Sequence, residues 1–370
     1  MHLSLLTSSR ADYGIYLPLI KKLSQTQDFE LSIIAFGTHL SPIHGYTINN
    51  IVADGFKVAY AIESMVVGDS AEAVSTAMAL TSMKFSTLWA FLKDKTDLII
   101  CLGDRYEMFA AVSASIPFNL PVAHFYGGET TLGAIDNKFR HAITQMANYH
   151  FTATAEYACK ISQMTGSDQH IYAVGSLSLD SLQNITLFDS EEFYKRYGID
   201  MKKATVLFTF HPETISADQN REHVKELIEV LNKIPYQVVI TMPNADTMGN
   251  FVRNELLTFA QQHTNRIFAV ENFGTAGYFS CMKLCSFLLG NSSSGIIEAA
   301  SFGKYVINTG NRQQGRACSN NVLHVPIKSQ EILSAIARIS ELPPYDGSNI
   351  YWQSNVSEKV IGILKSLADK

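Results

Sequence analysis

Short apolar runs alternate with longer amphipathic stretches along most of the chain, and this alternation limits the possible folds more than any other feature. Amphipathic stretches with helical periodicity include residues 15–25, 217–232 and 250–262. The apolar runs form two series, at residues 3–6, 31–36, 98–102, 122–125 and 150–153, and then at 205–210, 236–241, 267–270, 286–289 and 305–307. Such alternation predicts βαβ units with right-handed crossovers, and therefore an α/β fold built on parallel sheets.

Two series of strands in 370 residues predict two doubly wound, Rossmann-like domains. We place the first domain at residues 1–175 and the second at residues 176–350, joined near residues 175–188. An amphipathic pattern late in the chain indicates that residues 351–370 form a helix that packs back on the first domain. Ligands of such sheets bind beyond the carboxyl ends of the strands, so we expect the two domains to face a central cleft.

Charge and cysteine content exclude several classes of protein. The 29 Lys and Arg against 34 Asp and Glu give a formal net charge of −5, which provides no bulk basic field for nucleic acid or an anionic membrane. The five cysteines include no CxxC pair, so we predict no disulfide framework, and nothing in the sequence requires a metal. No apolar run reaches about 18 residues, and the N-terminus lacks the features of a signal peptide. We therefore expect a cytoplasmic protein.

Residues 289–298, LGNSSSGIIE, indicate a buried strand that breaks into a hydroxyl-rich turn and opens a helix. Unpaired backbone N–H groups at a helix start attract anions, and the three serines add side-chain donors. Glu298 follows one turn later, where its carboxylate could accept hydrogen bonds from a sugar diol. The pattern therefore predicts a nucleotide site, although Asn/Ser capping with tight packing explains the same residues equally well.

Two loops after predicted strands of the first domain carry arginines. Arg10 lies at a helix start, where its guanidinium could fork onto a diphosphate or pair with Asp12. Asp104 and Arg105 lie side by side and could form a simple ion pair. The sequence contains no G-x-G-x-x-G in a strand-to-helix setting, which argues against a nicotinamide dinucleotide.

A third loop joins a glycine pair to a carboxylate and then to a helix. The paired glycines at 127–128 would let the backbone approach a ligand, and Glu129 follows them. Asp136, Arg140 and His141 come next at helical spacing, for which an ordinary i,i+4 salt bridge between Asp136 and Arg140 is the alternative.

Taken together, these loops predict acid/base chemistry. Asp104, Glu129 and Asp136 all fall in strand-end or helix-start loops of one domain, as proton transfer requires. In the second domain a strand ends on His211, which the following proline fixes in place. This histidine could neutralise a leaving phosphate or transfer a proton, and a purely structural role is the alternative.

The chain resembles the hydrolysing UDP-N-acetylglucosamine 2-epimerases of sialic acid biosynthesis in six motifs that run in family order over nearly its whole length. They are SRADYG (9–14), GDRYEMF (103–109), GGE followed by Asp136 and RHAIT (140–144), FHPET (210–214), GNSSSGIIE (290–298) and NRQQGR (311–316). The resemblance implies a two-domain, GT-B-like fold, a UDP-sugar substrate, no cofactor, and a homo-oligomer, either a dimer or a tetramer.

The resemblance also implies roles for single residues. The diphosphate would be contacted by Arg10, Ser292, Ser293 and Arg312. Ser294 and Gly295 complete the serine motif and would bind the substrate with it, and Glu298 would hold the ribose hydroxyls. The acidic residues implicated in catalysis are matched by Asp104, Glu129 and Asp136. His211 matches the histidine near the departing phosphate, and Arg105 and His141 match further motif positions, at which they would bind UDP or the sugar.

The implied reaction converts UDP-N-acetylglucosamine to N-acetylmannosamine and UDP, by elimination to 2-acetamidoglucal and addition of water. The nearest alternative is the same chemistry on UDP-2,4-diacetamido-2,4,6-trideoxyglucose in the legionaminic acid pathway, and we place UDP-N-acetylglucosamine ahead of it. Further alternatives are a GT-B glycosyltransferase and a non-catalytic UDP-sugar sensor, against which the three carboxylates argue. A non-hydrolysing epimerase is the last, and the motif wording is closer to the hydrolysing branch.

Overall fold

The computed structural model describes residues 1–68, 70–180, 182, 185–243 and 246–368, and the chain divides into two compact units. Unit 1 comprises Met1–Glu129, Asp136–Gln183 and Tyr351–Lys370, and unit 2 comprises Thr130–Ile135 and Asn184–Ile350. The predicted domains differ from this division at residues 176–183, and at residues 130–135, which belong to unit 2 although both neighbouring stretches belong to unit 1.

Unit 1 alternates strands with helices in its described residues. Its strands are β1 (His2–Thr7), β2 (Glu30–Phe36), β3 (Val58–Ile62), β4 (Leu98–Leu102), β5 (Val122–Phe125), β6 (Tyr149–Thr152) and β7 (Ile171–Ala173). Its first helices are α1 (Arg10–Gln25), α2 (Ile48–Ala53), α3 (Ala71–Leu92), α4 (Tyr106–Ser113), α5 (Asp136–Met146), α6 (Ala155–Thr165) and α7 (Leu177–Asp180). Short 3-10 helices lie at Gly37–Leu40, Pro42–His44 and Ile116–Phe118.

The strands of unit 1 form one parallel sheet in the order β3-β2-β1-β4-β5-β6-β7. Every residue of β4 is buried, because helices cover both faces of the sheet and its strands therefore need apolar side chains on both sides. The core on one face includes Phe36, Phe85 and Trp89. The chain order reverses between β1 and β4, so the loops after these two strands lie where doubly wound sheets bind ligands.

Unit 2 repeats the pattern. Its strands are β8 (Thr205–Thr209), β9 (Gln237–Thr241), β10 (Ile267–Val270), β11 (Phe287–Gly290), β12 (Val306–Thr309) and β13 (Val322–Val325). Its helices are α8 (Ser190–Tyr197), α9 (Asn220–Lys233), α10 (Gly249–Gln262), α11 (Gly274–Leu284), α12 (Ser293–Ile297) and α13 (Ser329–Glu341), with 3-10 helices at Ala217–Gln219 and Ala299–Phe302. The parallel sheet runs β10-β9-β8-β11-β12-β13, so its order reverses between β8 and β11.

The last helix, α14 (Val356–Ala368), completes unit 1. The Asp180 carboxylate of α7 accepts hydrogen bonds from the backbone N–H groups of Val356 (3.0 Å) and Ser357 (2.9 Å), and so caps α14 from another element. The hydroxyls of Tyr157 and Tyr351, both buried, lie 2.8 Å apart. These contacts attach the C-terminal segment to the same unit as the N-terminal strand.

The predicted α/β class with two doubly wound parallel sheets is confirmed. The sequence pattern omitted β3, β7 and β13, which all lie at sheet edges and are only partly buried. β7 has only three residues and His324 interrupts β13, whereas β3 is an apolar run, VAYAI, that was not predicted. Among the described helices, none is both long enough and apolar enough to cross a membrane.

Candidate active site

The loop after β1 opens α1 with hydrogen bonds between two serines and Asp12. Ser9 is the N-cap, and its Oγ accepts a hydrogen bond from the Asp12 backbone N–H (3.3 Å). The buried Asp12 carboxylate in turn accepts from Ser8 N (2.9 Å), Ser8 Oγ (2.7 Å) and Ser9 Oγ (2.9 Å). Asp12 therefore fixes the serine turn, and Arg10 occupies the first position of the helix at the end of β1.

A buried arginine joins two of the three predicted catalytic carboxylates. Arg140 Nη1 donates to Glu129 Oε2 at 2.9 Å, and Arg140 Nη2 donates to Asp104 Oδ2. Asp104 follows β4, Glu129 follows β5, and Arg140 lies on α5, so three elements meet at this point. An i,i+4 salt bridge between Asp136 and Arg140 was the alternative interpretation of the sequence; in the structure Arg140 bridges two strand-end loops.

Arg105 binds a carboxylate that the sequence did not single out. Its Nε and Nη2 donate to Glu107 Oε2 (3.2 Å) and Oε1 (3.1 Å). Burial raises the pKa of the Glu107 carboxyl, and the Arg105 guanidinium partly offsets that rise. The only signal for this pair was that Glu107 falls in the first turn of a helix that begins next to Arg105.

Asp136 and His141 share α5 with Arg140. Asp136 is the first residue of the helix and is half-buried. The pKa of His141 is lowered, chiefly by burial, and further by the nearby charges of Lys160 and Arg140. His141 is therefore mainly neutral at pH 7, and it can act as a hydrogen-bond partner more readily than as a cation.

A buried histidine anchors the loop that carries Asp104. His124 Nε2 lies 2.8 Å from the Gly103 carbonyl oxygen, and burial lowers the pKa of His124 to about 3. The ring is therefore neutral, and its Nε2–H donates to that carbonyl. The glycine pair at 127–128 serves the same packing, because a Cβ on Gly127 would lie 3.0 Å from His124 Nδ1 and one on Gly128 would lie 2.6 Å from the Tyr157 carbonyl oxygen. The space that a side chain would take at these glycines is thus occupied by other protein atoms, whereas the sequence analysis predicted that a ligand would approach the backbone there.

In unit 2, a buried asparagine ties together the two loops at the point where the strand order reverses. Asn291 Oδ1 accepts from His211 N (2.7 Å), and Asn291 Nδ2 donates to the His211 carbonyl oxygen (2.8 Å). Gly290 precedes it with φ +131°, and a Cβ there would overlap the Thr209 carbonyl oxygen. The backbone of His211 is therefore fixed on both sides. The sequence analysis named Asn291 only as part of the serine motif and predicted no role for its side chain.

The serine loop forms the predicted helix start, but the helix, α12, is only five residues long. Ser292 is the N-cap, and its Oγ accepts from Ser294 N (3.4 Å) and lies 2.9 Å from Ser294 Oγ. The hydroxyl of the half-buried Tyr278 contacts Ser294 Oγ as well, and desolvation raises the pKa of Tyr278 to about 12. The structure thus shows the capping contacts, with Ser293 as the first residue of the helix.

The remaining residues of the motif pack against the sheet. A Cβ on Gly295 would lie 3.0 Å from Val306 Cγ1, so the glycine lets α12 approach β12 closely. Glu298 ends α12 as its C-cap and is buried. Its charge contributes to the raised pKa of Tyr278, which places the two side chains near each other.

Arg312 reaches the same loop from the end of β12. Its Nη1 donates to the Asn291 carbonyl oxygen (3.4 Å), and its Nη2 lies 3.8 Å from Asp246 Oδ2. Gln313 Nε2 donates to the Asn291 carbonyl oxygen at 2.9 Å. The structure therefore brings His211, the Asn291–Ser292 corner and Arg312 together at the carboxyl ends of β8, β11 and β12.

A second buried asparagine holds the loop beyond His211. Asn220 Oδ1 accepts from Glu213 N (3.0 Å), and Asn220 Nδ2 donates to the Glu213 carbonyl oxygen (3.0 Å). The Glu213 carboxylate accepts from the Asn311 backbone N–H. This loop and the turn that carries Arg312 are thereby joined.

The segment Thr130–Ile135, which links Glu129 to Asp136 along the chain, is built into unit 2. Ile135 N donates to Thr214 Oγ1 (2.9 Å), and Gly133 N donates to the Asn311 carbonyl oxygen (3.1 Å). Neither contact had a recognisable signal in the sequence.

Two doubly wound sheets, with an arginine-bridged carboxylate pair in one unit and a serine loop beside a fixed histidine in the other, define an α/β nucleotide-sugar enzyme of GT-B-like fold. The model of the UDP-N-acetylglucosamine 2-epimerase family matches residues 21–365, and the chain belongs to that family. It is thus a UDP-sugar 2-epimerase, and the resemblance seen in the motifs is confirmed.

Relatives and solved structures agree with this membership. The chain is 32% identical to the UDP-N,N'-diacetylbacillosamine 2-epimerase (hydrolyzing) of Legionella pneumophila over 98% of this chain and 94% of the relative. It is 31% identical to the GDP/UDP-N,N'-diacetylbacillosamine 2-epimerase (hydrolyzing) of Campylobacter jejuni over 86% of this chain and 83% of the relative. Its fold is similar to that of the UDP-GlcNAc 2-epimerase of Neisseria meningitidis bound to UDP-GlcNAc, with a TM-score of 0.82 at 17% identity over 99% of this chain and all of that one.

Proposed function

We propose that the protein is a hydrolysing 2-epimerase, which releases UDP from a UDP-2-acetamido sugar and gives the free sugar inverted at C2. The Arg140 bridge is the observation that supports this most directly. A guanidinium between Asp104 and Glu129 offsets the mutual repulsion of two ionised carboxylates, so that both can be held close to one substrate carbon. Proton removal from carbon needs such a positioned base.

The order of events follows from the acidity of the sugar. The hydrogen on C2 is barely acidic until the C1–O bond to UDP weakens and the ring gains oxocarbenium character. A carboxylate then removes the C2 proton as UDP departs, which gives a 2-acetamidoglycal. Water adds at C1, and C2 receives a proton on the opposite face. We assign the steps at C2 to Asp104 and Glu129, and proton delivery or water positioning to Asp136.

The leaving group requires positive charge and hydrogen-bond donors. We assign these to Arg312, Ser292, Ser293 and His211 in unit 2, and to Arg10 in unit 1. The fixed backbone of His211 supports this, because a donor held in place before the reaction costs no reorganisation as charge develops on the phosphate. Glu298 is assigned to the ribose hydroxyls.

The relatives change the order of the two candidate sugars. The sequence motifs put UDP-N-acetylglucosamine first. However, the relatives at 32% and 31% identity are named as 2-epimerases of N,N'-diacetylbacillosamine nucleotides, and this sugar is the 2,4-diacetamido-2,4,6-trideoxyglucose of the alternative substrate. We therefore propose UDP-2,4-diacetamido-2,4,6-trideoxyglucose as the substrate, with UDP-N-acetylglucosamine second on the strength of the family and the motifs. The two sugars differ only at C4 and C6, away from the proposed chemistry at C1 and C2.

Incubation with each UDP-sugar in heavy water, followed by proton NMR, tests the proposal. We expect UDP, a free 2-epimerised sugar and deuterium at C2, with the higher kcat/KM for the diacetamido sugar. Asp104→Asn, Glu129→Gln and Asp136→Asn are then assayed separately for glycal release and glycal hydration, with the exposed Asp94→Asn as control. Unchanged activity in all three variants, or product without deuterium at C2, contradicts the mechanism.

Two further expectations accompany this function. We propose that the protein works as a homo-oligomer, a dimer or a tetramer, which light scattering of the purified chain measures directly. We also propose a cytoplasmic location, where nucleotide sugars are made.

A further inference from the structure

A cysteine, a histidine and an asparagine that the proposed reaction does not use lie in contact at the edge of the sheet of unit 2. Cys318 Sγ lies 3.5 Å from His324 Nε2, and His324 Nδ1 lies 3.1 Å from Asn308 Nδ2. Asn308 on β12 and His324 on β13 are register partners in parallel strands, so their side chains share one face of the sheet. A nucleophile, a base and a group that orients the base are therefore arranged in a row.

The three side chains differ in their access to solvent. β13 is an edge strand of its sheet, so His324 is exposed, while Cys318 is half-buried and Asn308 is fully buried. A small solute can thus reach the thiol and the imidazole, while the amide stays fixed beneath them. Of the other cysteines, Cys159 is exposed, and three are buried, namely Cys101, Cys281 and Cys285.

The pair is held in its uncharged form. Burial raises the pKa of the Cys318 thiol and lowers the pKa of His324. At neutral pH this favours a thiol beside a neutral imidazole, which can accept the thiol proton during a reaction. An amide turned with its oxygen toward Nδ1 would hold the Nδ1–H tautomer and leave Nε2 as the acceptor, and a half-turn of the Asn308 amide provides that orientation.

We propose that Cys318 is a thiol-modification site, at which His324 serves as the general base for attack on small-molecule disulfides. Cys318 Sγ attacks one sulfur of the disulfide while its proton passes to His324 Nε2. A new Sγ–S bond forms, the original S–S bond breaks, and the departing thiolate takes the proton back from the imidazolium. Cys318 is oxidised, the departing sulfur is reduced to a free thiol, and the product is a mixed disulfide on the protein.

The reaction of the full-length protein with 5,5'-dithiobis(2-nitrobenzoate) tests this proposal. The released thiol gives the rate, and mass spectrometry of peptides assigns it to Cys318 or to Cys159. At about pH 6, where an ordinary thiol is almost wholly protonated, we expect Cys318 to react faster than Cys159. His324→Gln should slow the reaction of Cys318 with the reagent by at least about tenfold and leave the rate at Cys159 unchanged.

The pH dependence of the labelling rate at Cys318 distinguishes a general base at His324 from a residue that only lies nearby. With His324 present, the rate at Cys318 should rise as the imidazole loses its proton, below the ordinary pKa of histidine, and then level off. In His324→Gln the rate should follow only the ionisation of the thiol itself, whose pKa lies above its ordinary value. An equal rate at Cys318 in both proteins, or a wild-type profile that follows thiol ionisation alone, overturns the proposal. Labelling of the three buried cysteines reports any unfolding, in which case His324→Asn is used in its place.

Discussion

Replacement of Arg140 by lysine tests the feature on which the proposed chemistry depends. The Arg140 side chain is 2% exposed, and it binds Glu129, which is 0% exposed, and Asp104, which is 24% exposed. A lysine ammonium is a single point charge without the fork of a guanidinium, so it can serve one carboxylate but not both. Because Glu129 is the more costly to leave unpaired, we expect the introduced lysine to remain with Glu129 and to release Asp104.

The magnitude follows from the number of charge-assisted hydrogen bonds lost. Arg140→Lys loses one of the two bonds to carboxylates, which costs about 1.5–3 kcal/mol. Arg140→Met loses the bonds to both carboxylates and removes the guanidinium that they share, for which about 3–5 kcal/mol is typical. If the position of Asp104 limits proton removal, the lysine variant should also lose roughly 10- to 100-fold in kcat, with a smaller change in KM.

Urea unfolding followed by circular dichroism measures the stability, and deuterium incorporation at C2 measures the chemistry. Arg253→Lys is the matched control, because Arg253 also binds one carboxylate, Glu271, through two hydrogen bonds, but the pair is 21% and 50% exposed. That control should cost no more than about 1 kcal/mol. Wild-type stability and turnover in Arg140→Lys would refute the view that the bridge positions both carboxylates.

Three further predictions concern single residues. Ser292→Ala removes the N-cap of α12 and should cost about 1 kcal/mol in urea unfolding while it slows UDP release; an unchanged burst of UDP would contradict the assignment. Asn291→Ala should lower kcat more than KM, because the His211 backbone loses both of its side-chain clamps, and steady-state kinetics check this. The pKa of buried His124 is lowered to about 3 in the folded protein. As the pH falls, this histidine therefore binds a proton in the unfolded state before it does so in the folded state, and stability should fall as the pH drops below about 6.5. At pH 5 this histidine alone should contribute about 2 kcal/mol of destabilisation, and urea unfolding at pH 7 and pH 5 should show that loss in the wild type and much less in His124→Gln.

The sequence predicted those parts of the fold that depend on local pattern. Strands that are buried on both faces can be recognised in the sequence by continuous apolar runs, as in β4. Ligands bind at the loops that follow such strands. This reasoning located Asp104, His211 and the serine loop without the structure. His324 interrupts the apolar residues of β13, and that strand was not predicted.

Contacts between distant elements could not be predicted in the same way. Spacing along a helix offered Asp136 as one possible partner of Arg140. It could not indicate Asp104 or Glu129, which reach Arg140 through packing of α5 beside the ends of β4 and β5. The hydrogen bonds that Asn291 and Asn220 make to the backbone of His211 and Glu213 could not be predicted either. Asparagine is common in loops, and its function here depends on which backbone groups lie beside it in the fold.

The return of α14 to unit 1 has a consequence for how the protein is made. While the ribosome is still synthesising unit 2, the nascent unit 1 lacks the helix whose first N–H groups Asp180 caps, and the apolar surface that meets Val360 and Leu364 stays open to water. Unit 2 is contiguous from residue 184 to residue 350 apart from the six residues of Thr130–Ile135, so its sheet can form before unit 1 is finished. A nascent chain of this topology is therefore exposed to aggregation for longer than one whose N-terminal domain folds as soon as it emerges, and chaperone dependence during synthesis is the expected cost.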